Sequence, residues 1–258
     1  MFLATHAIPF SLLLFTGMLV MLEIGRHLGA RKLATDPGGA RTGVTAVEGA
    51  LFGLLGLLLA FTFSGAASRF DARRKLITDE VNVIGTAWLR LDLLPADAQP
   101  ELRDLVRKYL DARLDTYRKL PDIAAAEAEL AHSLQLQREI WAKTVAAIRS
   151  APSGFSGAAV VNALNAMFDI ATTRIAAART HPPTIIYLML GFLALSTSLM
   201  AGHAMAGSKT RSFIHIAGFA LVLSATVYVI LDLEYPRLGF IRLDAADRAL
   251  YDLRESMK

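Results

Sequence analysis

The sequence has no cysteine, which rules out disulfides, thiolate nucleophiles and Cys-held metals, and assigns no compartment. Charge is scarce too, at 19% of residues against 54% hydrophobic, with a mean hydropathy of +0.42, too apolar for an ordinary soluble chain. Four runs carry no formal charge at all: residues 1–22, 49–68, 182–208 and 212–231. No stretch alternates polar and apolar residues over a useful length, so no sheet is expected. HExxH, GxSxG, Walker A, GxGxxG and DxDxDG-type loops are all missing. An enzyme is therefore not expected, and neither is a cofactor or a resident metal. No basic stripe marks a nucleic-acid partner.

The four uncharged runs define the architecture. About 20 mostly apolar residues cross a hydrocarbon core of about 30 Å. Inside that core the backbone must satisfy its own hydrogen bonds, so each run is read as a helix. The expected fold class is an all-α integral membrane protein with four transmembrane helices and a large helical insert between spans 2 and 3. The expected domains are a first helix pair (1–68), a helical extramembrane domain (69–181), a second helix pair (182–231) and a C-terminal tail with a short helix (232–258). The first run lacks a basic n-region and a good small-residue cleavage site before Glu23, so it reads as a retained span rather than a signal peptide.

Four spans put both termini and the insert on one side. Near the span ends that side carries Arg69, Arg73, Arg74, Lys75, Arg174, Arg179, Arg237, Arg242 and Arg248. The other side carries Arg26, Arg31, Lys32, Arg41, Lys209 and Arg211. Nine basic residues against six place the termini and insert in the cytoplasm.

The insert holds 16 of the 27 Lys and Arg and 14 of the 23 Asp and Glu, interleaved as on solvated helix faces. The second span has no reason to stop at the membrane. Between Arg69 and Leu94 there is no proline and a single glycine, Gly85, so one helix is expected from about Val47 to Leu94, ended by Pro95. Trp88 on its far part is expected in the core of the insert. A second helix follows Pro100, with Leu102, Val106, Tyr109, Leu110 and Leu114 on one face. A third starts at a possible N-cap, Asp122, with Leu130, Leu134, Trp141, Val145 and Ile148 as its apolar stripe. Residues 151–157 read as a turn and 158–179 as a fourth helix.

The second span has two textures. Gly49, Gly53, Gly56, Ala60 and Ser64 fall within a sector of about 80° on a helical projection. Small residues of this kind let helices approach closely in lipid, so the sector is expected to be buried, within the chain or across a subunit boundary. About 100° away runs a second stripe of Ala50, Leu54, Leu57 and Phe61. Periodicity alone fits either two packing faces in a bundle or one packing face and one face toward a pore.

The segment Phe61-Thr-Phe-Ser64-Gly-Ala-Ala-Ser68-Arg69-Phe70, continuing to Arg74 and Leu76, resembles the second span and its extension in bacterial bestrophins. Glu234-Tyr-Pro236-Arg-Leu-Gly239 resembles the Glu-x-Pro-Phe-Gly that follows their last span, and the order of spans and insert agrees. The segments FSGAASRFDARRKLI, EVNVIGTAWLRLDLLP and DLEYPRLGFIRLD resemble the bacterial bestrophin-like proteins. Two departures stand out: Ile77 replaces the aromatic after Leu76, and Arg237-Leu238 replaces the Phe after Pro236. The tail also lacks the acidic run of the animal calcium clasp, so the resemblance does not extend to calcium gating. What it implies is a homo-oligomeric, pentameric anion (chloride-type) channel in a bacterial inner membrane, with lipid and small anions as partners. By position Phe61 corresponds to the neck phenylalanine. Leu57 and Leu54 are its partners on the same stripe, and Ser64, Ser68 and Arg69 form the pore mouth. A membrane-anchored helical scaffold or sensor without conduction is the alternative.

The remaining polar residues near the membrane carry less. Glu48 lies at the mouth of the second span, in an interfacial, packing or vestibule role. Glu23 closes the first span. His203 and His215 flank the third loop, and two histidines without a placed carboxylate do not make a metal site. Asp232 and Glu234 are expected to pair with Arg237 or cap a turn. The Arg73-Arg74-Lys75 cluster is expected to set topology and to attract anions to a pore mouth.

Overall fold

The computed structural model describes residues 7–35, 44–152, 157–207 and 213–257, and every regular element among them is helical. The helices are α1 (Ala7–Thr35), α2 (Val44–Arg90), α3 (Gln99–Arg118), α4 (Ile123–Ser150), α5 (Ala158–Arg179), α6 (Thr184–Ala204), α7 (Phe213–Glu234) and α8 (Asp244–Ser256). Four described segments are long and apolar enough to cross a membrane; they contain α1, the first part of α2, α6 and α7. Arg41, Lys209 and Arg211 of the topology count, and residues 153–156 of the expected turn, lie outside the described residues.

The chain divides into two compact units. The first comprises Met1–Ser68 and His181–Tyr235, and the second Arg69–Thr180 and Pro236–Lys258. The two helix pairs thus make one unit, and the tail joins the helical insert instead of standing apart.

In the first unit α1 lies against α6. A Cβ added to Gly25 would fall 1.9 Å from the Leu199 carbonyl oxygen, and one on Gly202 would fall 2.0 Å from that of Leu22. Gly29 meets the His203 carbonyl oxygen in the same way, at 2.6 Å. These glycines are where backbones touch. They also explain why α1 does not end at Glu23: the helix runs on to Thr35 because its next turns have a partner to pack on. Polar side chains in this apolar setting bond to their own helices. Thr197 Oγ1 donates to Leu193 O at 2.8 Å, and Ser224 Oγ to Ala220 O at 2.7 Å. The buried core joins Leu14, Met18, Leu55, Tyr187, Leu190, Val227 and Ile230.

The second unit is a water-soluble kind of core. The expected face of α3 (Leu102, Val106, Tyr109, Leu110, Leu114) is buried in full, together with Ile77, Ile84 and Trp88 of α2. Trp88 carries the Arg103 and Arg107 guanidinia at 4.6 and 5.6 Å from its ring centroid. Asp122 caps α4 by accepting from Ala125 N at 3.0 Å. The α4 stripe differs from expectation. The buried positions are Ala126, Ser133, Leu136, Ile140, Thr144 and Ala147, whereas Leu134 and Trp141 are exposed. The buried face is turned by about one residue from the expected stripe, and it mixes small side chains with Leu136 and Ile140. Helix α8 places Leu250 in the core, and Arg254 grips Asp111 with two bonds of 2.7 and 3.0 Å.

Candidate functional site

The residues expected to line a neck stand on the first part of α2, and none of the described residues covers them. Leu54, Leu57 and Phe61 are 49%, 52% and 68% exposed. A Cβ placed on Gly49, Gly53 or Gly56 would meet nothing within 4 Å, and Ala60 is exposed beside them. Of the two locations expected for burial of this sector, the interior of the chain is therefore not the one. Ser64 and Ser68 are exposed, and Arg69 is half-buried. This part of α2 is held along one edge only, by buried Leu55 and Ala66 and by Phe52, whose ring stands edge-on to Phe219 at 5.9 Å. Its most apolar window is 11% buried, against 22% in α1 and 28% in α7, which makes α2 the least covered of these three. One Glu48 carboxylate oxygen is buried and meets no hydrogen-bond partner among the described residues.

Along the rest of the family motif, Phe70 packs against the core of the second unit, Leu76 is half-buried and Arg74 is exposed. Arg73 is not available to a pore mouth. It is buried and donates from Nε to Ala177 O at 3.1 Å and from Nη2 to Thr180 O at 2.8 Å. A cation on the last carbonyls of α5 is a favourable C-terminal cap. In the second motif Glu234 is fully buried and takes the His181 Nδ1 at 3.1 Å, with Tyr235 over the same imidazole; Pro236 and Gly239 are half-buried. Arg237 pairs with Asp247 of α8. Its own segment turns into the helical unit, where Asp247 is the near carboxylate. Among the described residues no group of three or more His, Asp or Glu side chains is placed to hold a metal ion.

The sequence reading missed a buried charge cluster in the second unit. Glu80, fully buried, accepts from Arg113 Nε at 2.7 Å through one oxygen and contacts Arg174 Nη1 through the other. The Tyr117 ring stands at the centre of three guanidinia, those of Arg113, Arg174 and Arg237, at 5.4, 4.4 and 4.5 Å. Arg113 also donates to the Tyr117 hydroxyl at 2.9 Å. Burial first, and then the charge of Arg237, push the Arg174 guanidinium below the usual arginine range, while Asp247 opposes the shift. The signal was present in the spacing. Glu80 falls between Ile77 and Ile84, and Arg113 four residues after Tyr109, so both interrupt apolar stripes.

A four-span, all-helical chain with an uncovered second span and a self-contained helical unit is the class these features define. The Bestrophin-like domain model matches residues 12–247, and the chain belongs to that family. Crystal structures of single-substitution variants of a bacterial bestrophin homologue from Klebsiella pneumoniae share the fold. Two of them align with a TM-score of 0.65, at 17% and 16% identity, over 92% and 95% of this chain and 98% and 99% of theirs. No curated protein matches the sequence significantly.

Proposed function

We propose that the protein is a homo-oligomeric channel for small, chloride-type anions, pentameric as its family resemblance implies. In this reading α2 of each copy lines an apolar neck. The observation that carries it is the bare first part of α2: a glycine-bearing face and an apolar stripe, both left uncovered by the described residues. In a ring of copies the Gly49, Gly53, Gly56 and Ala60 sector packs on a neighbouring helix. The stripe of Leu54, Leu57 and Phe61 then turns to the axis, where stacked apolar rings gate by dewetting. Ser64, Ser68 and Arg69 follow as a wetter mouth whose positive charge draws anions in. The excess of basic residues supports a cytoplasmic location for the termini and the helical unit, in a bacterial inner membrane.

The cysteine-free sequence makes the arrangement testable, because any introduced thiol is the sole one. Phe61→Cys, oxidised gently in the membrane, is expected to yield covalent dimers. Leu221→Cys, on an exposed face of α7, is expected to yield none. Equal cross-linking at both sites, or none at Phe61→Cys, points instead to a scaffold or sensor whose α2 faces lipid.

A further inference from the structure

Beside the buried charge cluster the second unit has a cavity of about 230 Å³, and no part of the conduction argument uses it. Its wall presents Arg118, Arg237 and Arg242, two tyrosines, Tyr117 and Tyr251, and the carboxylates Asp244 and Asp247. A water occupies about 30 Å³ of liquid, so the space holds a small polyatomic ion and several waters.

The charges around it do not balance. Arg237 is paired with Asp247, Arg242 with Asp244 at 2.7 Å, and Arg118 with Asp115 at 2.8 Å. Behind them Arg113 and Arg174 share the single carboxylate of Glu80. Five arginines thus face four carboxylates, and the surplus cation lies on the buried side, where solvent screens it least. The arginines also keep donors in reserve. A guanidinium has five N–H groups; Asp247 takes Arg237 through Nη1 and Nη2, and Asp244 takes Arg242 through Nε.

Two features set the position of Arg237 apart. The Arg237-Leu238 pair stands where the resembling motif has a phenylalanine, which puts a charge at the cavity wall. Its backbone also holds φ at 112°, a left-handed region that non-glycine residues rarely adopt. That conformation is offset by the Asp247 pair and by the stacking on Tyr117.

We propose that this cavity binds a small multivalent oxyanion, a phosphate or diphosphate group, gripped by Arg237, Arg242 and Arg118 between the two tyrosines. Arginine forks suit this chemistry, since their N–H groups pair with phosphate oxygens two at a time. A free phosphate-bearing solute and a phospholipid headgroup present the same group. The site is independent of conduction.

Titration calorimetry on the full-length protein in detergent, at constant ionic strength, tests it with two probes: inorganic pyrophosphate and dioctanoyl phosphatidic acid. Saturable binding of one probe per chain is expected. Arg242→Ala, a change at a half-exposed rim residue, should weaken it by about tenfold, the worth of one charge-assisted contact. The paired change Arg237→Leu with Asp247→Leu removes the fork without stranding a buried carboxylate and should abolish binding. Tighter binding of the lipid identifies a headgroup site; pyrophosphate binding as tightly or more so identifies a soluble ligand. No saturable binding of either probe, the same response to chloride, or affinity unchanged in both variants overturns the proposal.

Discussion

A single helix has two different fates in this protein. The first part of α2, up to Ser68, leaves its glycines and its Leu54–Leu57–Phe61 stripe uncovered, whereas the part from Arg69 onward buries Ile77, Glu80, Ile84 and Trp88 in a closed core. The difference lies in what each part asks of its surroundings. The later part carries a polar face for water and an apolar face for α3, so its own unit completes it. The first part is apolar over most of its surface, and its glycine face suits the close approach of a second backbone, which the described residues of its own chain do not bring to it. Glycines in α1 and α6 provide the internal control. Gly25, Gly29 and Gly202 are the same residue type in the same apolar setting, and each lies against a backbone of its own unit.

Removing the charge at the centre of the closed core should do the most damage. Glu80→Ala leaves Arg113 and Arg174 buried without a carboxylate, and breaking one partner of a buried pair costs about 3–5 kcal/mol. Thermal unfolding in detergent is expected to show a large fall in Tm or failure to accumulate. A shift of a degree or two indicates that the pair is not needed.

The glycine contrast can be broken directly. Gly202→Leu drives a side chain into the Leu22 backbone and should destabilise each chain, by at least the 1–3 kcal/mol typical of overpacking. Gly53→Leu meets nothing within the chain. It is expected to leave the fold intact and to lower the oligomeric mass measured by native mass spectrometry. Wild-type mass and Tm for Gly53→Leu remove the assignment of that face.

A smaller effect is expected at the point where α2 enters its core. Arg73→Ala removes two bonds to the end of α5 and should cost about 1–2 kcal/mol, read as a reduced Tm with the oligomer preserved.

How much of this was legible in the sequence follows the same division. Where charge and apolarity alternate, the pattern was sufficient: α3 buries the very residues its spacing marks, α5 spans 158–179 as expected, and Asp122 caps α4. Where residues are small or uniformly apolar, hydropathy had no contrast to read. The α4 face lies one residue off because Ala126, Ser133, Thr144 and Ala147, which hydropathy marks weakly, are buried with Leu136 and Ile140 while Trp141 is exposed. The length of α1 was underread because Glu23 looks like an end, and the Gly25-x-x-x-Gly29 spacing that keeps the helix packed passed unnoticed. The charge cluster around Tyr117 was hidden differently. Glu80, Arg113, Arg174 and Arg237 come from four separate stretches of sequence, and only the fold brings them to one ring. Of the family-motif residues, Glu234 is fully buried and Phe70 packs against the core of the second unit.

Chloride flux from vesicles bearing the purified oligomer tests the account most directly, comparing wild type with Phe61→Ala and Leu57→Ser. Widening or wetting an apolar ring eases the passage of a hydrated ion, so both variants are expected to conduct faster than wild type, with the same mass and a Tm lowered little. Background flux from all three proteins as intact oligomers contradicts the channel and leaves the uncovered face of α2 to lipid or to a non-conducting assembly.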